Sequence, residues 1–292
     1  MQFQLQHAAR LGIALFASFC STVWATGTLE SISPAQPEAY QPFTITIKHI
    51  ESPGSPNPGI VGVRVEAGTV TLDDTFAIPY FINSEERFKT ATVTGLPAGT
   101  YTLKERIISP ESTGLLGEFT VNPAPPAQPV FALYHTGINH YFLTASPAQR
   151  DYLLAVHLGL GIVDELQINL GWRIVDEGFK AWPASGPAPV AAKPVCRLYS
   201  PLVNTHFYSA DAASCDFLKQ QTGVWIDEGI AFRALVPANG TCPGGTLPVW
   251  RLYNNRFAQL DSNHRYLTSQ DTYRQMIANG WIGEGVAFCS PE

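Results

Sequence analysis

The sequence predicts a mainly β protein with short helices, in which a β-sandwich precedes a pseudo-threefold, β-rich repeat domain with one short helix per repeat. Two observations support this prediction. In residues 26–122, short segments alternate apolar and polar residues, as at 43–47, which is the period of a half-buried strand. In residues 130–292, one longer unit recurs three times, at about 130–183, 195–236 and 249–290.

Residues 1–25 have the pattern of a secretory signal peptide. Arg10 precedes an apolar run at 11–20, and Ala25 provides a small residue at the cleavage site. No other stretch approaches the ~20 apolar residues that a membrane-spanning helix needs. We therefore expect an exported chain, extracellular or periplasmic, without a membrane span.

The charge balance argues against a nucleic-acid partner. The chain has 18 Lys and Arg against 24 Asp and Glu, a net charge of −6, and removal of the signal with its single Arg10 makes this −7. Nucleic-acid binding requires a clustered basic face, and no basic run is present in the sequence.

Four cysteines remain after the signal: Cys196, Cys215, Cys242 and Cys289. An even number in an exported chain favours two disulfides, and four cysteines allow three pairings. We favour Cys196–Cys215, which joins the first strand of unit two to its own helix. Cys242–Cys289 then joins the segment before unit three to the last strand. A zinc site is the alternative, but no two of the cysteines have the C-x₂₋₄-C spacing.

Residues 26–122 contain about seven short candidate strands separated by turn-rich segments, which is typical of a sandwich. Alternation predicts that Val61, Val63 and Val65 share a half-buried face, and another strand is expected at 76–81. The segments 95–103 and 118–121 resemble the end of bacterial immunoglobulin-like domains, which implies an immunoglobulin-like β-sandwich. This region has no cysteine and no cluster of histidines, so no site is expected in it.

A stiff Pro-rich linker at 123–129 joins the sandwich to the repeats. Each repeat has the order strand, turn, strand, helix, turn, strand. A single helix with three strands cannot bury its own apolar face, so we expect the three units to stack around a pseudo-threefold axis and share one core.

Each helix has a predicted N-terminal cap. Ser146 and Gln149 have the spacing of a capping box, with Pro147 at the first helical position. Asp211 is the cap in unit two. Ser269 is the cap in unit three, although it falls one alignment column earlier.

The repeat also resembles a known family. The segments His206-Phe207-Tyr208-Ser209 and 225–232 (WIDEGIAF) are similar to a three-fold repeat family of unknown function from secreted bacterial proteins. The resemblance covers about 130–292. It implies export and a non-catalytic accessory role, and it implies no particular ligand.

The first candidate binding residues lie in the polar segment after the first strand of each unit. An Asn opens every copy and a His follows within two residues, but the His changes column, which argues against a shared metal centre. Two interpretations stay open: these groups and their neighbouring tyrosines bind a ligand, or Asn holds a turn while His bonds to the backbone. The candidate residues are Asn139, His140, Tyr141, Asn204, His206, Tyr208, Asn263 and His264.

A second candidate set is the Glu that precedes Gly after each recurring Trp, namely Glu177, Glu228 and Glu284. Three carboxylates that converge at an axis are able to bind a hard cation. The alternative is a structural Glu beside a bulge or a close backbone approach, which the adjacent Gly favours. We expect the structural role, with no metal and no cofactor.

Aromatic residues also recur. Trp172, Trp225 and Trp281 follow the helices and are expected in the core. Other aromatic side chains are candidates for exposed stacking platforms, namely Trp182, Trp250, Tyr141 and Tyr208.

The sequence contains no motif of a hydrolase, a metalloprotease or a phosphate-binding loop. The expected function is therefore that of a secreted, non-catalytic binding or adhesion protein, whose repeat domain recognises a glycan or a cell-wall polymer. A secreted hydrolase and a structural spacer are the alternatives.

Overall fold

The computed structural model describes residues 27–51, 59–75, 85–108, 111–157, 171–175 and 178–292. The described chain is mainly β, with several sheets and three short α-helices. Within these residues, no helix is both long enough and apolar enough to cross a membrane.

Two sheets in the N-terminal part face each other across one apolar core. The first sheet has the order β1-β2-β5 and the second β3-β4-β6-β7. Their strands are β1 Thr28–Ser33, β2 Phe43–Glu51, β3 Ile60–Glu66, β4 Thr69–Asp74, β5 Glu85–Val93, β6 Gly99–Ile107 and β7 Ser112–Val121. Strands β4 and β6 run parallel, which departs from the two antiparallel sheets of an immunoglobulin fold. The strand expected at 76–81 lies outside the described residues.

The predicted face of β3 is wrong in part. Val61 and Val65 are 52% and 46% exposed, whereas Ile60 and Val63 pack against the core. The pairing of β3 with β4 shifts register between Ile60 and Gly62. A bulge at this point takes Val61 out of the alternation. Val65 follows Val63 in regular register and is exposed near the end of the strand.

One end of the interior between these two sheets is polar. The inward positions of β2 continue from Ile47 to His49 and Glu51, and all three side chains are buried. Asp74 and Glu105 are buried opposite them on the second sheet. The composition of residues 26–122 held no signal for this buried polar group, because the segment contains no cysteine and no cluster of histidines.

Three further sheets follow, and each places the first strand of its unit in the centre. Unit one pairs β8 with β9, β10 and β11; unit two has the order β13-β12-β14; unit three has β16-β15-β17. The strands are β8 Gln128–His135, β9 His140–Thr144, β10 Trp172–Ile174, β11 Phe179–Ala181, β12 Lys193–Ser200, β13 Thr205–Ser209, β14 Ile226–Ala234, β15 Thr246–Tyr253, β16 His264–Leu267 and β17 Ile282–Pro291. The helices are α1 Pro147–His157, α2 Ala212–Lys219 and α3 Gln270–Ala278, and a short 3₁₀ helix spans Phe257–Gln259.

The three later sheets share one core. Phe179, Phe232 and Phe288 come from the last strand of each unit, and their ring centroids lie 5.6 to 6.2 Å apart. Each last strand also contacts the other two. Because each unit supplies one ring to the same cluster, removal of any unit exposes the apolar surface of the other two.

Both favoured disulfides are formed. Cys196 is bonded to Cys215, which anchors α2 to β12, and Cys242 is bonded to Cys289 in β17. The Asp211 carboxylate caps α2 by accepting from the Ser214 amide.

Trp182 is not a stacking platform, contrary to the sequence prediction. Its side chain is 1% exposed, and its indole N–H donates to the carbonyl oxygen of Pro125 at 2.7 Å. Tyr40 packs edge-on against the same ring. The last two residues of the predicted linker, 128 and 129, belong to β8, which begins at Gln128.

Candidate functional site

Strand register gives an alignment of the polar segments that differs from the one read off the sequence. In unit one Tyr134 pairs with Tyr141, in unit two Tyr199 pairs with His206, and in unit three Tyr253 pairs with His264. His206 and His264 are therefore equivalent after all, and unit three is displaced by one residue. The same displacement explains why Ser269 fell one column early, since by register it aligns with Ser146 and Asp211.

Two of the three Asn residues hold turns. Asn139 and Asn204 adopt left-handed φ values of 59° and 49°, which Asn tolerates better than most residues. The hydroxyls of Tyr134 and Tyr199 donate to their side-chain oxygens. Asn263 differs, because it is 1% exposed and lies outside the left-handed group.

Asn263 and His140 instead join the units. The Asn263 amide donates to the backbone oxygen of Asn139 at 2.7 Å. His140 is 5% exposed; its Nδ1 donates to the backbone oxygen of Asn204 at 2.6 Å, and its Nε2 lies 3.1 Å from Asp261. Both side chains are buried and make their hydrogen bonds to another unit, so neither is exposed to a ligand in solvent.

Tyr208 is also a structural residue. Its ring is 1% exposed, and its hydroxyl lies 2.9 Å from both the backbone nitrogen and the backbone oxygen of Leu143 in unit one. Burial raises the pKa of this phenol. A ring this buried is not an exposed stacking platform, whereas its part in ligand binding stays a prediction. Tyr141 and Trp250 are partly buried: Tyr141 packs against Trp281, and Trp250 packs against Tyr273.

Only units two and three have a Glu at the position that precedes the bulge. Glu228 and Glu284 each precede a Gly with φ of 81°, and the register of both strands shifts at this point, which is the expected bulge. In unit one, Val175 stands at the same distance from Trp172 and Phe179 as Glu228 does from Trp225 and Phe232. Glu177 thus belongs to a different column, and it lies outside the described residues.

Units two and three each contain an Arg–Glu–His trio. In unit two, Arg197 Nε lies 2.7 Å from Glu228 Oε2, and His206 Nε2 lies 3.3 Å from the same oxygen. In unit three, the corresponding atoms of Arg251, Glu284 and His264 are 2.8 and 3.6 Å apart. By register and spacing, unit one replaces all three with Ala132, Val175 and Tyr141.

The electrostatics of the trios favour charged Arg–Glu pairs. Burial alone would raise the pKa of Glu228, but His206 and Arg197 outweigh it and hold the pKa below the ordinary value. Burial and, second, the charge of Arg251 lower the pKa of His264 to about 3, so this imidazole is neutral at physiological pH.

A polar cleft opens between units two and three, and we call it the 2–3 cleft. Its volume is about 540 Å³. Arg251 and Glu284 contribute one wall, and the start of α2 contributes the other. The charged and hydroxyl side chains that line it are Lys193, Ser209, Asp211, Arg251 and Glu284.

The corresponding position between units one and two is filled by Gln149. Its side-chain oxygen accepts from Arg197 at 3.0 Å and from Thr144 at 2.8 Å. Only half of the predicted capping box is therefore formed. The backbone N–H of Gln149 donates to the Ser146 hydroxyl, but the Gln149 side chain bonds to Arg197 instead of returning to the start of the helix. Ser214 occupies the same helix position in unit two, and its hydroxyl binds Asp211 instead.

The third position, between units one and three, is an apolar cleft of about 450 Å³. It exists where unit one lacks the Arg and Glu side chains. Its apolar lining includes Phe131, Ile174, Val175 and Leu247. The three positions therefore differ in chemistry: the 2–3 cleft carries the Arg251–Glu284 pair with Lys193 and Asp211, whereas the charged residues of the apolar cleft are Lys180 and Glu292.

The arrangement defines a mainly β, disulfide-bonded chain with a polar cleft between two similar units. A family described as "Domain of unknown function (DUF5648)" matches residues 161–291, which include units two and three. This match agrees with the expected resemblance to a family of unknown function. The comparisons with curated proteins and with solved structures found no match.

Arg197 and Arg251 were not among the predicted site residues, and Gln149 was predicted only as part of a capping box. The two Arg residues share a column, two positions after Val195 and Val249, and Ala132 has that position in unit one. Counting from Trp172 to Phe179 places Val175 rather than Glu177 in the Glu column, and with that alignment the two charges appear and disappear together.

Proposed function

We propose that the chain is an exported, non-catalytic binding protein that recognises an extracellular glycan or cell-wall polymer through the 2–3 cleft. In this proposal residues 26–122 form an immunoglobulin-like sandwich variant, and residues 130–292 form a pseudo-threefold repeat domain. The observation that carries it is the set of fixed charged groups around the cleft.

The chemistry of the cleft suits sugar hydroxyls. Planar Arg and carboxylate groups offer paired donors and acceptors, and charge-assisted hydrogen bonds are stronger than neutral ones. Glu284 is oriented by Arg251 and its side chain is 27% exposed, so it is held in place and also reachable. Lys193 and Asp211 are exposed on the facing wall.

The acid groups of the cleft support binding rather than hydrolysis. A glycosidase needs a carboxylic acid that keeps its proton near neutral pH. The pKa of Asp211 is lowered, chiefly by its hydrogen bonds to Ser214, and Glu284 is paired with Arg251. A neutral His264 is also a poor proton donor.

The test is retention of the purified protein on insoluble cell-wall and polysaccharide preparations. Glu284→Gln removes one charge from the open cleft without changing its shape. We expect it to weaken binding about tenfold or more, since a hydrogen bond to a charged group contributes ~1.5–3 kcal/mol. Glu228→Gln is the matched control, because the equivalent cleft is filled by Gln149.

Equal retention of parent and Glu284→Gln would remove the cleft from the binding surface. Failure of the parent to bind any polymer would instead favour a structural spacer. One observation already favours that second candidate: His140, Tyr208 and Asn263 all serve contacts between units.

A further inference from the structure

The buried polar end of the sandwich brings together side chains from both sheets. His49 and Glu51 lie on β2 and Lys89 on β5, while Asp74 ends β4 and Glu105 lies on β6. The side chains of all five are at most 1% exposed. We call this group the interior cluster. It lies outside the repeat domain and is independent of the function proposed above.

The donor atoms of three members converge. His49 Nε2 lies 2.7 Å from Glu105 Oε1 and 3.4 Å from Asp74 Oδ2, and all three ligand atoms lie within 4.8 Å of one another. A tetrahedral zinc ion with bonds of ~2.0–2.1 Å holds its donors roughly 3.3 Å apart. The observed separations bracket this value, so small side-chain rotations suffice to coordinate an ion.

The charge of the interior cluster also points to a cation. Three carboxylates face Lys89 and His49, and Arg87 Nε lies 3.9 Å from Glu51, so one carboxylate has no cationic side chain of its own apart from His49. Uncompensated buried charge is costly. A bound dication would offset the remaining negative charge.

Surrounding groups orient the donors as they do around metal ions. Lys89 Nζ donates to both oxygens of Asp74, at 2.9 and 3.1 Å. The backbone amide of Gly27 donates to Glu105 Oε2 at 2.7 Å, which directs Oε1 at His49. This buried Oε1 faces the His49 ring at 2.7 Å, and Glu105 also hydrogen-bonds to the side chain of Asp74. Such outer contacts fix the orientation of metal ligands.

We propose that His49, Asp74 and Glu105 form a binding site for one divalent transition-metal ion, with Zn²⁺ as the ion that fits the donor set. An imidazole with two carboxylates suits zinc, whereas Ca²⁺ and Mg²⁺ require six or more oxygen ligands. The ion would bridge the two sheets, since His49 belongs to the first and the two carboxylates to the second.

The test uses the full, tag-free protein after treatment with a chelator. Titration with Zn²⁺ against a chromophoric chelator, together with elemental analysis, should show one equivalent of tightly held zinc and a raised melting temperature. Glu105→Gln and His49→Gln should each weaken zinc binding by at least ~10–100-fold. Asp73→Asn is the control, because this neighbouring carboxylate pairs with Arg64 and Arg106.

A readout on the parent keeps the proposal testable if the variants do not fold. Co²⁺ bound in place of Zn²⁺ should give the visible absorption of a four-coordinate site with nitrogen and oxygen ligands. Absence of tight zinc binding by the parent would overturn the proposal. Unchanged zinc binding by folded Glu105→Gln and His49→Gln variants would also overturn it.

Discussion

The hydroxyl of Tyr266 lies 2.9 Å from the backbone oxygen of Tyr208 and 3.1 Å from its backbone nitrogen. Tyr208 makes the same two contacts with Leu143. Each phenol thus crosses from one unit to the backbone of the preceding unit, in the direction three to two to one. Burial raises the pKa of Tyr266 to about 12, so the hydroxyl keeps its proton and can donate.

Tyr266→Phe should destabilise the protein by ~1–3 kcal/mol, because it leaves a buried backbone donor and acceptor unsatisfied. Denaturant unfolding followed by fluorescence measures this difference. Tyr199→Phe removes a solvent-exposed hydroxyl that donates to Asn204, and is the matched control. If the two substitutions cost the same, the contact between units contributes no particular stability.

The register of these strands shows why the binding columns were only partly predictable. Sequence alignment on Asn placed Asn263 beside Asn139, although unit three contains a longer loop before β16 that shifts its Asn by one residue. Backbone pairing resolves the shift, and a sequence without pairing information cannot. The disulfides were predictable, because the order of strand and helix already brought Cys196 near Cys215.

Only part of the interior cluster was predictable from the sequence. The alternation that predicted β2 continues through His49 and Glu51 in inward positions, so a polar interior was readable along one strand. The convergence with Asp74 and Glu105 was not, because it depends on how the two sheets face each other. The parallel pairing of β4 with β6 was not predictable either, because nothing in the local sequence of a strand shows which other strand it pairs with or in which direction.

Ser214→Gln should close the 2–3 cleft. A Gln at this helix position has the length to reach Arg251, as Gln149 reaches Arg197, and it still permits the Asp211 cap. Under the proposed function, retention on the polymer should then fall about tenfold or more while the melting temperature is preserved. Gln149→Ser is the reciprocal variant, and it should leave binding at the 2–3 cleft unchanged.

A pH experiment tests the environment of His264. Its pKa is about 3 in the folded protein against 6.5 as the ordinary value, so the unfolded chain binds the proton more tightly. The stabilisation from neutral His264 is therefore present above pH 6.5 and is lost as the pH falls toward 3. The slope is at most ~1.4 kcal/mol per pH unit.

His264→Gln should flatten that slope between pH 6.5 and 4 relative to the parent, since every other titrating group is common to both proteins. Denaturant unfolding at several pH values provides the comparison, and NMR titration of the imidazole provides a direct value. A His264 resonance that titrates near pH 6.5 would show that the charge of Glu284, 3.6 Å away, outweighs burial and Arg251.

The last prediction concerns which part of the chain folds alone. A fragment of residues 123–292 should unfold cooperatively, because it keeps all three aromatic rings of the shared core and the Pro125 oxygen that binds Trp182. A fragment of residues 123–239 should not, since it lacks Phe288, Tyr266 and Val249 from that core and the Cys242–Cys289 bond. Calorimetry distinguishes the two. A cooperative transition of the shorter fragment at the melting temperature of the longer one would mean that units one and two form a complete core without unit three.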